Sequence, residues 1–238
     1  MNPFDMSQPA AIRAICFDLD NTLWDVWPVI RRAEQAMYDF LALKYPRVTA
    51  AMTVEAVRKA REETAAAYPQ MRHDFTFLRK QTLRDHAREF GYAETMVEEA
   101  FDAFIAARNE VVLYDDVLSG LARLQTRFRL FSASNGNADL DRIGLAHYFE
   151  RSLSARQVGA LKPDPVLFHK VIEGTGLQPQ QVVYVGDDPA LDVVGARGAG
   201  MQAIWINREQ SPWPADLEPP AHTVQTLHEL GAVLGLAT

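Results

Sequence analysis

The chain has 238 residues, enough for one large domain or a core with a smaller companion, and its balance of 48% apolar to 23% charged residues is that of a globular protein. No apolar run approaches the length of a membrane span, and a formal net charge of −7 argues against a nucleic-acid binder. A single cysteine, Cys16, excludes an internal disulfide and fits a reducing compartment.

Residues 1–10 carry neither a basic n-region nor an apolar h-region, so they do not read as a secretory signal, and a cytoplasmic location is the default expectation. The first element is a short apolar run, Ala14-Ile-Cys-Phe17, which reads as a buried strand with Cys16 as a small core residue. It delivers two acids, Asp18 and Asp20, followed by Thr22. In an extended segment residues i and i+2 point the same way, so both acids would share one mouth at a strand's carboxyl end.

Residues 26–112 read as helical throughout. Pro28 suits the first turn of a helix that stops at Pro46, and Thr53 is placed to cap a second helix ending before Pro69. Phe75, Leu78, Leu83, Ala87 and Phe90 recur at helical spacing up to Gly91, and Val97, Ala100, Phe101 and Phe104 mark a fourth helix. Four helices on short connections make a bundle.

From residue 113 onward helix and strand alternate. A helix is expected over 117–125, a strand over 129–133, a helix over 164–175, a strand over 181–185, a helix over 190–199 and a strand over 203–206. The tract holding Pro212, Pro214, Pro219 and Pro220 reads as a loop. This alternation implies right-handed βαβ units and a doubly wound parallel sheet. The first strand has no partner of its own, so it must join that sheet, and the helical bundle is an insertion after strand one. The domains expected are therefore a Rossmann-like α/β core, residues 1–25 and 113–238, and an α-helical bundle, residues 26–112.

Four groups fall at or near the carboxyl ends of expected strands: Asp18 with Asp20; Ser134 with Asn135; Asp187, Asp188 and Asp192; and Lys162-Pro163 ahead of a helix. In a doubly wound sheet these ends converge on one crevice. Two like charges held close repel unless a cation or a shared proton sits between them. Clustered carboxylates without grouped Cys or His are hard oxygen ligands, which point to Mg²⁺. A lysine with hydroxyl and amide donors suits a phosphate, and an aspartate facing a phosphoryl group can attack it.

In these four motifs, in this order over nearly the whole length, the chain resembles the haloacid dehalogenase (HAD) superfamily, in its phosphatase branch with a helical cap. The resemblance implies that Asp18 is the nucleophile and Asp20 the general acid/base, with Thr22 steadying the turn. It implies phosphate binding by Ser134, Asn135 and Lys162, and Mg²⁺ held among Asp18, Asp20 (through its main-chain carbonyl), Asp187, Asp188 and Asp192. Dehalogenases of the superfamily usually lack the second acid of the first motif, which Asp20 supplies, so a phosphatase is favoured. Residues 17–32, 134–138, 185–188 and 200–206 are further similar to bacterial phosphatases acting on flavin mononucleotide and on 5-amino-6-(5-phosphoribitylamino)uracil.

Several readings stand beside this one. The same scaffold serves phosphotransferases, mutases and haloacid dehalogenases. A non-catalytic phospho-accepting domain also combines clustered acids with a lysine, but it is much shorter and needs no acid two residues after its acceptor. In the helical block Arg72, His73 and Arg79 are candidates to meet substrate, against the plainer reading of a solvated face. Trp24 and Trp27 are placed either to stack on a flat ring or to pack between domains. The partner expected is a small phosphorylated metabolite, with no nucleic acid and no membrane, and the protein a monomer or homodimer.

Overall fold

The structure, a computed structural model, describes residues 11–236. Residues 1–10, on which the reading of a missing secretory signal rests, lie outside them. The chain divides into two compact units. One runs to Asp25 and continues over Val112–Gly136 and from Leu140 onward; the other comprises Val26–Val111 with Asn137–Asp139.

The first unit is built on six parallel strands: β1 (Ala14–Phe17), β2 (Arg129–Ser134), β3 (Arg151–Ser154), β4 (Val182–Gly186), β5 (Gln202–Ile206) and β6 (Thr223–Val224), in the order β3-β2-β1-β4-β5-β6. The chain winds outward from β1 in both directions, which is the doubly wound α/β topology. β1 lies between β2 and β4 and every one of its residues is buried, so a continuous apolar run is what this position demands. Phe17 pairs with Ser132 on one side and Val185 on the other. Carried one residue further, the register sets Asp18 level with Ala133 and Gly186, and the Asp18 amide still donates to the Val185 carbonyl at 2.8 Å. Ala14, Cys16, Phe131, Phe168, Val182 and Tyr184 belong to one buried core. Burial pushes the Cys16 thiol well up, as expected of an inert core cysteine.

The second unit holds α1 (Val26–Lys44), α2 (Pro46–Ala51), α3 (Val54–Ala67), α4 (Phe75–Glu89) and α5 (Thr95–Arg108). Its core gathers Ala33, Met37 and Leu41 of α1 with Leu83 and Ala87 of α4 and Val97, Ala100 and Phe104 of α5. Thr53 caps α3 by accepting the Ala56 amide, Asp74 caps α4 by accepting that of Phe77, and Gly91 follows α4 at φ +67°.

The remaining helices are α6 (Val117–Leu124), α7 (Leu140–Ile143), α8 (Ala155–Val158), α9 (Pro165–Ile172), α10 (Gly195–Gly198) and α11 (Leu227–Val233). Where a single helix is expected over 190–199, a π turn (Pro189–Val194) precedes α10. The elements not foreseen are short or polar. β3 reads Arg-Ser-Leu-Ser and β6 has two residues; both are edge strands with no apolar run to announce them. α11 follows the proline tract and starts at the Thr226 cap. No helix among the described residues is long and apolar enough to cross a membrane.

Candidate active site

The carboxyl ends of β1 and β4 assemble an acidic group. Carboxylate oxygens of Asp18, Asp187 and Asp192 lie within 4.8 Å of one another. Asp18 and Asp192 are buried and Asp187 half-buried. Asp192 reaches the group from the π turn, where Asp188 receives both the Asp192 and the Val193 amides on its carbonyl. Such turns concentrate at functional sites, where they re-aim a side chain. Gly186 makes room: a Cβ there would stand 2.3 Å from Asp192 Oδ2. Asp188 itself is turned away, its Oδ1 accepting the Ala190 and Leu191 amides at 2.8 Å each.

Lys162, 4% exposed, joins the acids from the loop ahead of α9. Its ammonium pairs with Asp18 Oδ1, with Asp192 Oδ1 at 2.6 Å and with the Tyr184 hydroxyl at 3.0 Å. Asp192 Oδ2 accepts the Asp188 amide at 3.0 Å. The loop carrying Lys162 is held by Asn135, whose Oδ1 accepts the Lys162 amide at 2.8 Å and whose Nδ2 donates to the Lys162 carbonyl at 3.3 Å. Ser134 Oγ accepts the Gly136 amide at 3.0 Å.

The electrostatics follow from burial. Burial pushes the Asp18 carboxyl well above the usual range; Lys162 opposes this, and Asp192 and Asp187 add repulsion. Asp187 is pushed up to about 7, first by burial and then by Asp192, with an Asn21 hydrogen bond working the other way. Burial disfavours the charge on Lys162, but Asp18 and Asp192 outweigh it, so that the ammonium is held more firmly than a free lysine's. The donor set suits a hard divalent cation: three mutually repelling carboxylates at ligand spacing, with no thiolate or imidazole among them.

The Asp18/Asp20 geometry differs from the extended reading. β1 ends at Phe17, and residues 19–23 form a helical turn in which the Leu23 amide donates to the Leu19 carbonyl at 2.8 Å. Asp20 therefore sits on a turn, not on a pleat, and Oδ1 accepts the Trp24 indole N–H at 2.9 Å. Trp24 has no exposed surface, and Trp27 is 58% exposed. The Thr22 hydroxyl is buried without a hydrogen-bond partner among the described residues. The turn is held instead through the Thr22 carbonyl, which accepts Arg208 Nε and Nη2 at 3.2 and 2.9 Å, while Arg208 Nη1 donates to Asp116 at 2.7 Å. In the helical unit Arg72 is exposed and His73 half-buried on the turn before α4. Arg79 is buried against Glu34.

Sequence reasoning missed Tyr184, Gly186, Asn21, Trp205 and Arg208. Trp205 donates its indole N–H to the Asp187 carbonyl at 2.7 Å. Two of these left a trace. Tyr184 is the one hydroxyl in the apolar Val-Val-Tyr-Val run, and Gly186 breaks a β-branched strand directly before Asp187.

The model of the haloacid dehalogenase-like hydrolase family matches residues 12–200, and the chain belongs to that family. It is 31% identical over 216 residues to the 5-amino-6-(5-phospho-D-ribitylamino)uracil phosphatase YigB of Escherichia coli, covering 87% of this chain and 90% of that protein. It is 35% identical over 148 residues, 60% of its length and 59% of its relative's, to a phosphoserine phosphatase of Thermus thermophilus. Among solved structures, a 2-haloacid dehalogenase from Pseudomonas syringae pv. tomato superposes with a TM-score of 0.88 at 35% identity, covering 94% of this chain and 98% of that one. Within the family the chain is an enzyme of the phosphatase kind.

Proposed function

We propose that the chain is a Mg²⁺-dependent phosphomonoester hydrolase that works through an aspartyl phosphate on Asp18. The observation that carries the proposal is the meeting of Asp18, Asp187 and Asp192 oxygens within 4.8 Å, with a buried lysine on Asp18. Asp18 and Asp187 would hold the ion, with Asp192 in reach, the Asp20 main chain completing the set and Asp188 bordering it. A bound Mg²⁺ would offset charge on the transferring phosphoryl oxygens.

The chain's own residues supply the rest. An Asp18 carboxylate oxygen attacks phosphorus as the ester P–O bond breaks, and Asp20 gives its proton to the departing alkoxide. Asp20 then takes a proton from water as that water attacks phosphorus, the acyl phosphate P–O bond breaks, and inorganic phosphate leaves. Lys162 and Ser134 meet the phosphoryl oxygens. Asn135 acts through Lys162, since its side-chain amide is engaged on the Lys162 peptide.

The relative from Escherichia coli, a 5-amino-6-(5-phospho-D-ribitylamino)uracil phosphatase, supports a substrate of the ribityl phosphate kind; flavin mononucleotide, suggested by the sequence resemblance, carries the same kind of phosphate ester. We assign substrate selection to the helical insertion, with Arg72 and His73 its candidate contacts; Arg79, also a candidate by sequence, is buried against Glu34 and is given a structural part instead. One observation favours a second reading, 2-haloacid dehalogenation: the structural likeness to a dehalogenase. A departing halide needs no proton, however, and an acid at Asp20 would then have no task.

A panel of phosphate esters assayed with Mg²⁺ and with chelator, beside Asp18→Asn, tests the proposal. Mg²⁺-dependent phosphate release lost in the variant is the expected result. Chloride release from 2-chloropropionate without phosphate release would establish the rival.

A further inference from the structure

One buried polar group beside Lys162 has no part in the chemistry above. Tyr184 lies in the middle of β4 with no exposed surface, between neighbours that are all valine. Its hydroxyl donates to the Ala133 carbonyl at 2.6 Å and stands 3.0 Å from Lys162 Nζ. A phenol has one proton. With that proton on the Ala133 carbonyl, the oxygen faces Lys162 with lone pairs only, and the ammonium must be the donor. An ammonium has three donors and no acceptor. Here the three acceptors are Asp18 Oδ1, Asp192 Oδ1 and Tyr184 Oη. The ring cannot swing aside, because Phe168 packs edge-on against it at 4.9 Å.

Filling β4 does not require the oxygen. A phenylalanine would occupy the same space, and a buried hydroxyl is retained at a net benefit only where it is bonded. We infer that Tyr184 is a positioning residue. Its hydroxyl is the fixed acceptor that stops the Lys162 ammonium from rotating and aims it at Asp18 Oδ1, leaving the other Asp18 oxygen for attack. This rests on the reading of Asp18 and Lys162 given above.

Tyr184→Phe keeps the ring and removes only the oxygen. The expected result is a kcat for Mg²⁺-dependent phosphate release lower by about tenfold, with KM within about twofold and the thermal midpoint within a few degrees. A second readout needs no turnover. The Lys162 ammonium should give a slowly exchanging ¹H–¹⁵N resonance in the wild-type protein that broadens or shifts in the variant. An active wild type whose variant keeps its kcat overturns the inference while leaving Asp18 as nucleophile. So does a variant that loses activity only because it unfolds. A wild type without Mg²⁺-dependent activity overturns the hydrolase reading instead, and the ammonium resonance alone then decides for or against Tyr184.

Discussion

A cluster of opposite charges is buried in each unit, and the two are built differently. In the α/β unit Lys162 is shared among β1, β4 and the π turn, and its contacts to Asp192 and Tyr184 are 2.6 and 3.0 Å. In the helical unit Glu34 divides itself between Arg58 at 2.7 Å and Arg79 at 3.7 Å. Arg79 leans on an aromatic face, its Cζ 3.6 Å from the Phe104 ring centroid. Burial first, and then Arg61, lower Arg79 to about 9, with Glu34 opposing. A lysine met at every donor is oriented, and orientation is what chemistry needs. The helical cluster joins α1, α3 and α4, and what it sets is stability. Damage to the first should remove activity and spare the fold; damage to the second should do the reverse.

Asp18→Asn breaks the comparison most directly. It removes the nucleophile yet keeps an acceptor for Lys162, so kcat should fall by at least about 10³-fold with the thermal midpoint nearly unchanged. A variant that unfolds would show that the acidic cluster holds the sheet together. Glu34→Gln is the converse. It leaves a buried guanidinium without its counter-charge, and urea unfolding should report a loss of about 3 kcal/mol with kcat per folded molecule within about twofold.

Gly186→Ala sharpens the boundary between the two outcomes. The added methyl meets the Asp192 carboxylate, not backbone, so the acid must move off Lys162. Stability should fall by about 1–3 kcal/mol, as for overpacking, while activity falls on the order of tenfold or more. A fall in stability alone would mean that Asp192 has no share in the chemistry.

The sheet and its acids were legible because both leave periodic or clustered marks. Ala14–Phe17 is apolar at every position because β1 is buried on both faces, and Asp187 follows a strand that ends in glycine. What stayed hidden are groups recognised only through three-dimensional partners. Arg208 is far from Thr22 in sequence, and nothing local marks it as the holder of that turn. Asn135 reads as an ordinary turn residue until its amide is seen on the Lys162 peptide. Reading Asp18 and Asp20 as one pleated pair failed for a related reason. The strand stops at Phe17, and a helical turn, signalled only by its hydrogen bonds, carries Asp20.

The smallest effect expected is a pH dependence of the metal response. Asp187 titrates at about 7 in the fold and near 3.8 when exposed, so between those values the native state binds more protons than the unfolded one. Stability from this group therefore declines as pH rises from about 4 to 7, the opposite of an ion-paired carboxylate. A cation held by Asp18 and Asp187 competes with that proton and offsets the repulsion that raised the value. Thermal melts with and without Mg²⁺ should differ little at pH 5 and by several degrees at pH 8. The helical cluster predicts no such term, so Glu34→Gln should keep the Mg²⁺ shift in full and Asp187→Asn should lose it. An equal shift at both pH values would mean that the ion is held away from Asp187.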